Sequence, residues 1–166
     1  MPTRRLLLTC AAAPLLTACG FALRQAPDFA FRSIYVELLA GNSTAGQELR
    51  HQLEITEKLQ VIKDAADRNK ADVVLQVLQD TRQRVVVGRD AAGNVTEFQL
   101  RVHLRFRVRT PAGQELLPEV EITRQIDQSY SDTAALSKDA EAQMLFADMQ
   151  SDAVQQVLRR LAAVKL

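Results

Sequence analysis

Between residues 98 and 108 every even position is apolar and every odd one polar. Phe98, Leu100, Val102, Leu104, Phe106 and Val108 alternate with Gln99, Arg101, His103, Arg105 and Arg107. A period of two sends successive side chains to opposite faces of an extended chain. The pattern therefore predicts a strand over 96–109 with one face on a core and one on something polar. Weaker alternation flanks it. Over 72–89 Val73, Leu75, Val77, Val85 and Val87 share one parity, and over 115–130 Leu116, Val120, Ile122 and Ile126 share another. The links Asp90-Ala91-Ala92-Gly93-Asn94 and Pro111-Ala112-Gly113 are turn sequences, so the three segments predict an antiparallel meander.

The flanks complete the pattern. Residues 31–38 place Ile34, Val36 and Leu38 on one face, as a strand does. Gly41-Asn42-Ser43-Thr44 breaks that run and offers caps for a helix reaching about residue 57, with Leu49 and Leu53 on its buried side. Residues 59–63 read as a second, short strand and 64–70 as a polar loop. From residue 137 to about 164 the period becomes helical. Ala140, Met144, Ala147, Val154, Leu158 and Leu161 form a stripe widened by Leu145 and Val157. The implied class is α+β: two helices packed on one face of a four-stranded, mainly antiparallel mixed sheet, in β-α-β-β-β-α order with a short extra strand.

Composition adds little to this. The 166 residues are 47% hydrophobic and 25% charged with a net charge of +1, an ordinary balance for a folded chain. That balance argues against a nucleic-acid partner, whose binding domains are strongly basic.

The first twenty residues say more. Arg4 and Arg5 precede an uncharged run over 6–16, too short to span a hydrocarbon core that needs about 20 helical residues. Leu16-Thr17-Ala18-Cys19 then resembles a bacterial lipobox, in which the cysteine is acylated and becomes the new first residue; the alternative is a plain secretory signal with a chance cysteine. The reading is a signal peptide over 1–18, a lipidated N-terminus and tether over 19–30, and one folded domain over 31–166. Taking Arg4 and Arg5 from the 21 basic residues leaves 19 against 20 acidic ones. Cys10 leaves with the signal and Cys19 carries lipid, so packing alone must stabilise the domain. Two or more acyl chains give a stable membrane anchor. A tether of this length holds the domain near the membrane face.

Catalytic chemistry is not expected. The two histidines, His51 and His103, lie on different predicted elements without a ligand partner at useful spacing. The motifs HExxH, CxxC, GxSxG and a Gly-rich phosphate loop are absent from the sequence. No metal and no cofactor beyond the covalent lipid on Cys19 is implied. Glu119 and Glu121 share one strand face, where their expected partners are arginines of the preceding strand.

The candidate site is the basic row of the meander. Strict parity and a turn at Ala92-Gly93 put Arg82 and Arg84 within one step of Arg101 and His103, on the polar face. Arg105, Arg107 and Arg109 are expected to be neutralised by Glu115, Glu119, Glu121 and Asp127. Arg82, Arg84, Arg89 and Arg101 remain as candidate anion contacts, with solvated surface as the competing reading. Lys138 stands at the first helical position after an expected Ser137 cap. A cation there opposes the helix dipole but lies beside free N–H groups, a place suited to an anion.

Several of these segments resemble one family. Cys19-Gly20-Phe21-Ala22-Leu23-Arg24 is similar to the start of the LptE lipoproteins. Leu49-Arg50-His51-Gln52-Leu53 resembles their first helix, Glu97-Phe98-Gln99-Leu100 a strand start, and 137–141 through 157–161 their last helix. The resemblance runs in order along the whole mature chain. It implies a non-enzymatic outer-membrane lipoprotein, anchored on the periplasmic side. Such a protein plugs the LptD β-barrel, helps it assemble and contacts lipopolysaccharide on its way to the outer leaflet. The family's two basic lipopolysaccharide contacts fall on Arg89 and Lys138. Gly20, where an Asp marks inner-membrane retention, implies passage to the outer membrane. The turn between Arg89 and Glu97 departs from the family in being slightly longer. The other reading is a periplasmic accessory lipoprotein that binds a different envelope lipid or assembles another complex.

Overall fold

The computed structural model describes residues 28–38, 43–56 and 59–166. Five strands form one sheet in the order β2-β1-β3-β4-β5: β1 (Ser33–Glu37), β2 (Gln60–Ile62), β3 (Val73–Arg89), β4 (Val95–Arg109) and β5 (Glu115–Ser129). The long strands pair antiparallel, while β1 lies parallel to both β2 and β3. Two helices, α1 (Thr44–Glu54) and α2 (Ala135–Ala162), complete the α+β class. The expected sheet had four strands plus a short extra one. The short strand is in fact the fifth member, because its backbone pairs with β1.

The local chemistry explains these elements. Both hairpin turns place a glycine in the left-handed region, Gly93 at φ 88° and Gly113 at φ 95°. Each closes a three-residue loop of the bulged hairpin type. Asp90 secures the first by accepting from the Asn94 side-chain amide at 3.0 Å and from the N–H groups of Asn94 and Ala92, both at 2.9 Å; the Asn94 side-chain bond is the chief cause that holds its carboxyl below the usual range. Ser43 caps α1 by accepting from Gly46 N at 2.9 Å. A Cβ on Gly46 would lie 2.7 Å from that same Ser43 oxygen, so the tight cap requires glycine. The segment over 64–70, expected to be a loop, is a 3₁₀ helix (Ala65–Lys70) capped by Asp64.

Burial follows parity on β4 without exception from Leu100 to Val108. The inward face of β1, with Ile34 and Val36, and Leu49 and Leu53 of α1 are buried as predicted. The stripe on α2 needed correction in its first half. Ala140, Met144 and Ala147 are exposed, and the buried face is Ala142, Phe146, Met149 and Ala153, joining the predicted Val154, Val157, Leu158 and Leu161. Alanine and methionine suit either side of a helix, whereas the position of Phe146 decides the rotation.

The apolar interior divides in two. A large cluster joins Ile34, Leu53, Leu75, Phe106, Val157 and Leu161 with their neighbours. A smaller one, toward the β3–β4 turn, holds Leu100, Val102, Ala142, Phe146 and Met149. Among the described residues no helix is long and apolar enough to cross a membrane.

Candidate functional site

The basic row does not stay on one face. A bulge between Val77 and Gln79 shifts the parity of β3, so that Asp80 pairs with Leu104, Arg82 with Val102 and Arg84 with Leu100. Paired residues in an antiparallel ladder share a face. Arg82 and Arg84 therefore project on the helix side, while Val85, paired with Gln99, turns to the open side. The expected grouping of Arg82 and Arg84 with Arg101 and His103 is corrected by this one extra residue. The lapse of apolar alternation between Val77 and Val85 was its only trace in the sequence.

On the helix side the relocated residues form a polar belt between the two apolar clusters. Asp80 Oδ2 accepts from Ser43 Oγ at 2.9 Å and from Ala45 N at 3.0 Å, tying β3 to the start of α1. The Arg82 guanidinium donates to Thr44 Oγ1 at 2.9 Å and to the Gln150 side-chain oxygen. Gln150, buried in mid-α2, donates to Glu48 Oε2 at 2.7 Å. Across the sheet Arg124 pairs with Asp152 at 2.5 Å. Arg84 forms an ion pair with Asp139 of α2 at 2.6 Å and lies 3.8 Å over the Phe98 ring, whose edge meets Tyr130 at 4.9 Å between centroids.

The open face carries the rest. Arg101 donates its Nε to Gln99 Oε1 at 2.7 Å, and Gln99 reaches Asp127 at 2.8 Å. His103 Nδ1 lies 3.2 Å from Glu121. Arg105 meets Glu119 at 3.0 Å, the neutralisation expected for it. Arg107 was expected to face a carboxylate of β5. It instead donates to Gln76 Oε1 at 2.7 Å, because its opposite neighbour in β3 is that glutamine. Arg109 Nε is buried without a hydrogen-bond partner, so its expected neutralisation by β5 is not seen at that atom.

Lys138 is the second correction. Helix α2 begins at Ala135, so Lys138 is its fourth residue and Ser137 is no cap; Ser137 Oγ donates back to Ala134 O at 2.8 Å. The lysine therefore closes the first turn and does not stand at its first position. Its Nζ pairs with Glu141 at 2.8 Å, which holds that carboxyl below the usual range, and approaches Ser129 Oγ at 3.4 Å. Arg89 donates to Gly93 O at 2.8 Å. Ser129 pairs with Glu97 and Glu97 with Gly88, the residue before Arg89. The fold thus brings Arg89 and Lys138 to the same end of the sheet. Cys19 and the signal and tether segments lie outside the described residues. Among the described residues no cluster of His, Cys, Asp and Glu could hold a metal ion.

Comparison with known proteins adds a family. A family model described as LptE, lipopolysaccharide-assembly, matches residues 31–161. The LPS-assembly lipoprotein LptE of Yersinia enterocolitica is 28% identical over 170 residues, covering 99% of this chain and 78% of its own. That of Pectobacterium atrosepticum is 27% identical over 158 residues, covering 92% and 82%. The solution structure of lipoprotein B from Nitrosomonas europaea superposes with a TM-score of 0.69 at 31% identity, covering 87% of this chain and 91% of that one.

Proposed function

The chain belongs to the LptE family of lipopolysaccharide-assembly proteins, and from that premise we propose that it is an acylated outer-membrane lipoprotein that plugs the LptD barrel. Lipid on Cys19 anchors it on the periplasmic side, and the end of the sheet that carries Arg89 and Lys138 contacts lipopolysaccharide in transit. The protein performs no catalysis. The observation that carries this reading is the family match across nearly the whole folded part, 31–161.

Physical features support it. The interior wall of an outer-membrane barrel is polar. The uncovered sheet face, with Gln76, Gln99, Arg101, Arg105 and Thr123 among its side chains, is water-compatible and laced with cross-strand bonds. Such a polar, hydrogen-bonded face is compatible with a hydrated wall. Lipopolysaccharide carries phosphates. Arg89 and Lys138 offer the two kinds of cation that bind them, although each must loosen a present partner.

Affinity purification of the full chain from detergent-solubilised outer membranes tests the plug directly. A large β-barrel protein is expected to co-elute, and its absence would overturn the reading. With the same preparation, Arg89→Asp together with Lys138→Asp is expected to weaken lipopolysaccharide binding by about tenfold at unchanged Tm. An unaltered affinity would remove those two residues from the account.

A further inference from the structure

The two edges of the sheet are built differently. β2 is three residues long and runs into Lys63 and the 3₁₀ helix. Brevity and a lysine are ordinary means of blunting an edge. β5, at the other edge, is fifteen residues long and pairs on one side only. Its register with β4 is unbroken from Val120 to Ser129, and the bulge and Pro118 lie before that stretch. The stretch holds no lysine, proline or glycine. Its one arginine, Arg124, shares the helix side with Val102 and is tied to Asp152.

The ladder identifies the backbone groups left over. Tyr130 donates its N–H to Thr96 O at 2.8 Å. Antiparallel pairs alternate, so Gln128, Ile126, Arg124 and Ile122 also turn their N–H and C=O groups toward β4. Ser129, Asp127, Gln125, Thr123 and Glu121 turn theirs outward, and all five residues are exposed. A flat row of this kind is a template for another strand.

A second copy of the chain brings the same row, and the charges on it select a register. The two strands run antiparallel about a two-fold axis normal to the sheet. With the axis at Gln125 the overlap covers 121–129 and stops short of the bulge at Pro118. Glu121 then stands opposite Ser129 of the other copy and Asp127 opposite Thr123, so each carboxylate meets a hydroxyl. Moving the axis to Arg124 sets Glu121 against Asp127, and moving it to Thr123 sets Glu119 against Asp127; both oppose like charges. The helices fit as well. Helix α2 lies over both β4 and β5. At a strand spacing of about 4.8 Å, two copies joined edge to edge hold their α2 helices about 10 Å apart, an ordinary distance for packed helices.

We propose that two copies of this chain pair through β5, with Gln125 on the two-fold axis, and continue one sheet across both. About ten backbone hydrogen bonds join them. The inference goes beyond the barrel-plug reading and does not rest on it. The wall of a barrel is closed and offers no free edge, so the pairing belongs to the chain outside its barrel.

Cysteine cross-linking in the full chain, read in the membranes of cells that express it, tests both the partner and the register. Gln125→Cys is expected to give a disulfide-linked homodimer on mild oxidation, because the axis sets the two Cα atoms about 5.5 Å apart. Thr123→Cys alone is expected to stay monomeric, and to cross-link when co-expressed with Asp127→Cys. The unaltered chain sets the baseline. Gln125→Pro removes an N–H that β4 does not use. Added to the Thr123→Cys and Asp127→Cys pair, it is expected to lower their cross-link about tenfold at unchanged Tm. Gln125→Lys sets two like charges on the axis without constraining the backbone; it is expected to act likewise, and it decides the matter if the proline variant unfolds. The inference is overturned by a Gln125→Cys chain that stays monomeric, by self-linking at Thr123→Cys as strong as at Gln125→Cys, or by cross-links that survive the lysine variant. A Gln125→Cys adduct with a different protein also overturns it, assigning the edge to a foreign strand. Each of these results leaves the reading of function above standing.

Discussion

The two ends of the sheet are built from the same three long strands and differ in what covers them. At the β1 end the interior is apolar and closed. Ile34, Val36, Leu53, Leu75, Phe106 and Leu161 have no exposed surface, and the two helices and the parallel strands β1 and β2 enclose them. At the hairpin end α2 works alone over a smaller cluster, and much of the remaining cohesion is polar: an arginine stacked on Phe98, an ion pair to Asp139, a lysine paired with Glu141. The belt of Asp80, Arg82, Gln150 and Glu48 marks the division. The difference teaches that one bulged residue can convert half of a strand from core-former into surface. Regions that meet ligands belong to the less stable part of a fold, and the hairpin end has that character.

The comparison can be broken most directly by cavity mutations. Phe106→Ala in the closed end should cost about 3–5 kcal/mol, whereas Leu100→Ala in the smaller cluster should cost about 2–3 kcal/mol because its surroundings can collapse. Chemical denaturation of the two variants checks this; equal losses would mean that the two ends form one evenly packed core.

A smaller effect probes the belt. Gln150→Ala strands Glu48 and the Arg82 guanidinium, and is expected to cost about 1–2 kcal/mol, less than an apolar cavity because water can reach both partners. Hydrogen exchange should show increased opening in the first half of α2 and in the β3–β4 hairpin, with the amides of β1 unaffected. Uniform loss of protection would erase the boundary.

The smallest effect lies in acid. Asp72 accepts the N–H groups of Arg32 and Ser33, each at 2.9 Å, and the bond from Arg32 chiefly holds its carboxyl below the ordinary value. A carboxylate whose folded pKa is depressed adds stability that is complete above its unfolded value, near 4, and is lost as pH falls through the folded one. Asp72→Asn should therefore flatten the stability–pH curve below about pH 4. It should also lower stability at neutral pH by under about 1 kcal/mol, since the site is partly solvated. Denaturation midpoints across pH 2–7 would record it, and an unchanged acid limb would show that Asp72 does not pin β1.

The alternation of Phe98 to Val108, the turn residues at 90–94 and 111–113, and Ser43 ahead of α1 were enough to establish the α+β class, the meander and the helix order. They act through local physics: the period of a pleat, the left-handed freedom of glycine, the reach of a serine to an N–H three residues on. The N-terminal lipobox pattern and the family resemblance are equally properties of the chain itself. Tertiary structure decided what local rules leave degenerate. Whether Arg82 and Arg84 face helices or the open side hinged on a bulge that only pairing with β4 reveals. Which side of α2 is buried in its first half hinged on where Phe146 met Leu100 and Val102. Where Lys138 stands hinged on a helix that starts without a side-chain cap, and so leaves no sequence mark of its first residue. Parity, rotation and register are choices between near-equal local states, and long-range packing settles them.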